Sequence, residues 1–155
     1  MLRLSKKADY ALMAMRHLAL KTSGAASTCA RDIAEQYDIP IELMAKVLQR
    51  LVRTGLLAST QGTRGGYTLS RPSTAISVAD VIEAIDGPFT VTACSTEKND
   101  CEQYGKCSIR DPLWQIRERI VEALGTVTIA EMASDVAPRS EHASPAPTPV
   151  AVVRR

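Results

Sequence analysis

A chain of 155 residues with 45% hydrophobic residues is long enough for one ordinary domain with appendages and apolar enough for a packed core, and no run of it can cross a bilayer. The formal net charge of +2 hides an asymmetry: residues 1–71 carry eleven Lys or Arg against five Asp or Glu, and residues 72–155 carry eight against twelve. A basic half suits a polyanion, while two histidines and no paired acid and base constellation argue against an enzyme.

The N-terminal apolar stretch is interrupted by Arg16 and His17 before it reaches signal-peptide length, which predicts a cytoplasmic protein with reduced thiols. Ser5 reads as the N-cap of a first helix with Ala8, Ala11, Leu12, Met15, Leu18 and Ala19 on one stripe. A short second helix is expected over Ala30 to Tyr37, with Ile33 and Ala34 inward. Cys29 stands before it as a lone thiol, read as a small apolar filler. Pro40 suits the first position of a third helix, whose stripe is Ile41, Met44, Val47, Leu48 and Leu51, with Gly55 as its stop. Its opposite face carries Glu42, Lys46, Gln49, Arg50 and Arg53.

The period then changes. Leu57 and Ser59, then Tyr67 and Leu69, flank a turn with Gly62, Gly65 and Gly66, which predicts a hairpin with Arg64 at its tip. A fourth helix has Ser77 and Asp80 as a capping box, buries Val78, Val81, Ile82 and Ile85, and stops at Gly87-Pro88. From Pro88 to Ile109 there is no periodicity, and Cys94, Cys101 and Cys107 lie inside this stretch. Asp111 and Pro112 read as the N-cap and first position of a long helix with Leu113, Ile116, Ile120 and Leu124 on one face, ended by Gly125. Thr128 and Glu131 form a capping box for one more turn, and "APRSEHASPAPTPVAVVRR" after Val136 reads as a disordered tail.

Short helices joined by a tight turn and followed by a Gly-rich hairpin spell a winged helix-turn-helix, so the fold expected is mainly α with a small β-hairpin. The third helix would lie in the major groove of double-stranded DNA. Arg50 and Arg53 could pair with guanine or phosphate, Lys46 and Arg64 with phosphate, and Gln49 with adenine, with Glu42 on the same face.

The segments "MLRLSKKADYAL", "RDIAEQYDIPIELMAKVLQRLVRTGLLAS" and "GTRGGYTLSR", with the cysteine stretch before "DPLW", resemble the IscR-type family of bacterial regulators, also called the Rrf-two family. The similarity covers residues 1 to about 133, and the opening is most similar to regulators of SUF-type iron-sulfur cluster assembly. The resemblance implies that Cys94, Cys101 and Cys107 ligate an iron-sulfur cluster, a two-iron form ahead of a four-iron one, as three thiolates and one further ligand would allow. A structural zinc site is the other metal reading, although zinc sites usually show closer pairs such as C-x-x-C. Where relatives of IscR carry a histidine ligand, this chain has Arg110, and a guanidinium does not ligate iron. Other members use an aspartate of the partner subunit's first helix, and the matching residue is Asp9; His17 is a weaker candidate.

The implied organisation is a winged helix-turn-helix over residues 1–87, a cluster loop over 88–109, a dimerisation helix over 110–135 and the tail over 136–155. The function so implied is that of a homodimeric transcriptional regulator that reads cluster status and controls genes such as those for cluster assembly. A cluster carrier on the same fold is the rival, and the basic first half argues against it.

Overall fold

Ser5 starts the first helix as its sequence position predicts. Its Oγ accepts the Ala8 N–H at 3.1 Å and donates to the Asp86 carboxylate at 2.6 Å, so one hydroxyl both caps the helix and ties it to a distant element. The computed structural model describes residues 3–21, 27–62, 65–91, 102 and 104–134. In chain order these form α1 (Lys6–Lys21), α2 (Ala30–Gln36), α3 (Ile41–Arg53), β1 (Leu57–Thr60), β2 (Gly66–Leu69), α4 (Val78–Asp86), α5 (Arg110–Thr126) and α6 (Ile129–Ala133). The architecture is mainly α with one two-stranded hairpin. No helix among the described residues is long and apolar enough to cross a membrane.

The core lies where α1 packs against α3, α4 and α6, and where α2 packs against α3. Met15, Ile33, Met44, Leu48, Leu51, Ile76, Val81 and Ile129 are its largest fully buried side chains. Burying each such side chain contributes about 1.5–3 kcal/mol. Ile85, expected inside, is half-buried, and Ala84 is buried instead. Ile41 departs further from the expected stripe at 44% exposed, and burial along α3 begins at Met44. Pro40 itself is the N-cap, one residue earlier than expected.

Two glycine stops hold because their backbones take positive φ. Gly55 (φ 77°) follows α3, with its N–H on the Val52 carbonyl at 3.0 Å and the Leu56 N–H on that of Leu51 at 3.0 Å, a Schellman motif. Gly87 (φ 84°) ends α4 differently, with a single bond from its N–H to the Glu83 carbonyl at 2.9 Å. Gly125 is different: it lies inside α5, which runs on to Thr126. At its other end α5 begins at Arg110 rather than Pro112. Pro112 is tolerated there because the first-turn N–H groups of a helix have no intrahelical partner.

The hairpin pairs Leu57 with Leu69 and Ser59 with Tyr67. Thr28, just before α2, joins it as a third pairing segment, exchanging N–H and C=O bonds with Tyr67 at 3.2 and 2.9 Å. A second isolated bridge ties α6 to the start of α4. Ser77 pairs with Thr128, the Ile129 N–H reaches the Ile76 carbonyl at 2.9 Å, and Ile129 is fully buried. The capping boxes at Ser77/Asp80 and Thr128/Glu131 are both formed. Arg16 of α1 donates Nε–H to the Met132 carbonyl at 2.7 Å and so fastens α6.

Candidate nucleic-acid interface

The polar face of α3 follows from its helical spacing. Met44, Val47, Leu48 and Leu51 face the core, so Glu42, Lys46, Gln49, Arg50 and Arg53 are all exposed on the opposite side. Lys46, Gln49, Arg50 and Arg53 line a groove of about 440 Å³, together with Leu43, Val47, Ile85 and Lys7. Among the described residues the lining carries four cations and no carboxylate, so the groove presents an unopposed positive charge. Glu42 sits in the first turn of α3 outside this lining. Lys7 escaped the sequence reading because it belongs to α1, and only the packing of helices brings it beside α3.

Arg50 has a second attachment. Its Nε–H is donated to the Ala84 carbonyl in the last turn of α4 at 2.9 Å, which leaves the two terminal nitrogens of the guanidinium for another partner. Arg64 lies outside the described residues.

Cys107 is half-buried between a short 3-10 turn at Tyr104–Lys106 and the start of α5. Cys94 and Cys101 lie outside the described residues, as do His142 and the rest of the stretch 136–155. Among the described residues no group of three or more His, Cys, Asp or Glu is assembled that could hold a metal ion. Asp9 is exposed on α1. Arg110 donates Nε–H to Asp111 at 2.7 Å and holds that carboxyl below its ordinary range. The donor set of three cysteine thiols suits an iron-sulfur cluster chemically.

Two further expectations resolve in the helix-turn-helix. Cys29 is not a filler: it is half-buried and caps α2, its Sγ accepting the Asp32 N–H at 3.4 Å. His17 is packed in the core at 3% exposed, edge-on to Tyr37 with ring centroids 5.7 Å apart. Its Nδ1 lies 3.4 Å from the Tyr37 hydroxyl, and Nε2 has no hydrogen-bond partner among the described residues. Burial pushes its pKa down, the charge of Lys21 pushes the same way, and Asp32 opposes them.

A helix pair with a basic exposed second helix, followed by a wing paired to the segment before α2, defines a winged helix-turn-helix, the fold of a class of DNA-binding regulators. The chain belongs to the Rrf2 family, whose model, described as an iron-dependent transcriptional regulator, matches residues 4–135. It is 34% identical over 135 residues to the HTH-type transcriptional regulator IscR of Yersinia pestis, covering 86% of this chain and 80% of that protein. Against IscR of Vibrio cholerae the identity is also 34%, covering 86% of this chain and 76% of that one. Among solved structures, IscR of T. potens superposes with a TM-score of 0.68 at 26% identity, covering 90% of this chain and 93% of that one. The global cysteine regulator CymR of B. subtilis gives 0.68 at 28% identity, covering 86% and 98%. The expected family and fold therefore hold.

Proposed function

We propose that the protein is a cytoplasmic, homodimeric regulator that binds a double-stranded DNA operator through α3 and the wing, and that an iron-sulfur cluster held by Cys94, Cys101 and Cys107 sets its operator affinity. The observation that carries this reading is the location of the three thiols. In sequence they fall between α4, whose last turn is bonded to Arg50 of α3, and α5. When bound, a cluster there supplies a centre sensitive to iron supply, oxygen or nitric oxide. The two-iron form is preferred, and genes for cluster assembly are the targets proposed.

The chain's own residues supply the rest. Asp9, exposed on α1, is the proposed fourth ligand, contributed across the dimer. No residue of α5 is buried, and Trp114 and Ile116 are 44% and 45% exposed, which supports α5 as the pairing helix of two subunits. Pairing two subunits would place two recognition helices on related half-sites. Arg50, Arg53, Lys46, Gln49, Glu42 and Arg64 are the proposed DNA contacts. A restrained or released connection between Gly87 and Arg110 would change the seating of α4's last turn, and through Arg50 that of α3. Affinity then shifts only by the difference in binding between the two arrangements.

The test is the visible spectrum of protein purified without oxygen, with iron and acid-labile sulfide counted per chain, beside a Cys101→Ala protein. Matched iron and sulfide that are lost in C101A are expected. A colourless protein holding zinc or no metal, or a C101A protein with full iron and sulfide, would overturn the cluster assignment.

A further inference from the structure

The groove beside the recognition helix is built by two helices that are far apart in sequence. Lys7, in the first turn of α1, is exposed and lines it together with Lys46, Arg50 and Arg53 of α3. Both banks are pinned to the same turn of α4. Asp86 receives the Ser5 hydroxyl at 2.6 Å and the Ser5 N–H at 3.4 Å, and so fixes the start of α1; the Ala84 carbonyl receives the Arg50 Nε–H at 2.9 Å and so fixes α3. The spacing between Lys7 and the polar face of α3 is therefore set by bonded contacts.

A helix in the major groove, about 12 Å wide, has base edges in front of it and a phosphate backbone along each flank. Cations on the reading face meet bases, and cations on a flanking element meet phosphate. A lysine suits the second task, because its ammonium is a compact charge without the planar fork that reads guanine. We propose that Lys7 is a phosphate-binding residue of the DNA interface, holding one strand beside α3 and so fixing how the recognition helix sits in the groove. This inference rests on the DNA-binding reading above.

The experiment uses the full-length protein and a duplex that it selects from a random-sequence pool, with a scrambled duplex as comparison. Affinity is measured across a salt series for the wild type, Lys7→Ala, Lys7→Arg and Lys6→Ala. For K7A we expect weaker binding to both duplexes by the same factor, and a salt slope reduced by about 0.9 for each Lys7 in the bound assembly. K7R restores the slope. K6A retains it, since Lys6 does not line the groove. A K7A slope equal to wild type, or an equal reduction in K6A, overturns the assignment and leaves the DNA reading intact. A wild-type protein that selects no duplex overturns both.

Discussion

Arg50 of α3 donates its Nε–H to the carbonyl oxygen of Ala84 in α4 at 2.9 Å, so a side chain on the proposed reading face is also a structural bond. The two roles separate by substitution. Arg50→Ala removes both, and should cost about 1 kcal/mol of stability and reduce the salt slope of DNA binding by about 0.9 per subunit. Arg50→Lys keeps the charge and loses the fork, so the slope should persist while discrimination between the selected and scrambled duplexes falls. An R50A protein with unchanged affinity and slope would remove Arg50 from the interface.

The wing depends on a close approach at Gly66. A Cβ built there would stand 2.7 Å from the Thr28 carbonyl oxygen and 2.8 Å from its carbon, both backbone atoms. Gly66→Ala should cost about 1–3 kcal/mol, as overpacking does. At Gly125 a Cβ meets nothing within 4 Å and the backbone is helical, so Gly125→Ala should stabilise α5 by about 0.5–1 kcal/mol. Urea midpoints of the two variants should therefore move in opposite directions.

Burial of His17 predicts acid sensitivity. Its folded pKa is depressed, so the unfolded chain binds the proton more readily and stability rises with pH. The contribution is complete above the ordinary value of 6.5 and is lost as pH falls from there towards the folded value. Its slope is at most about 1.4 kcal/mol per pH unit. His17→Gln removes the titrating ring, and urea midpoints at pH 7.5 and 5.5 should then differ less than in the wild type. An identical difference would assign the acid sensitivity to another group.

Ile41 and Met44 occupy the same helix with opposite consequences. Ile41 is 44% exposed and Met44 fully buried. Met44→Ala should cost about 2–5 kcal/mol, whereas Ile41→Thr should stay within about 1 kcal/mol, as thermal denaturation would show.

What the sequence made legible was local. The boxes at Ser77/Asp80 and Thr128/Glu131 depend on residues three apart, and the existence of the hairpin on alternation around a Gly-rich turn, so both could be read without knowing the fold. Gly55 and Gly87 read correctly as stops because their backbones take positive φ; Gly125 misled because composition does not report φ. Ile41 misled because periodicity says which face is apolar and not how far the core beneath it extends. The residues that bind elements together were hidden for the same reason. Nothing local to Arg50, Ser5 or Lys7 announces Ala84, Asp86 or the groove, and the burial of His17 needs α2 in place. Of the three thiols in the cysteine stretch, Cys94 and Cys101 lie outside the described residues.

Ile129 bears on how the molecule is made. Its side chain lies in one buried cluster with residues of α1, α3 and α4, more than forty positions after Gly87, and Thr128 beside it bridges to Ser77. The interior of the reading head is therefore completed by a residue that follows the cysteine stretch and α5 in sequence. A chain truncated before α6 would leave that core short of one fully buried isoleucine.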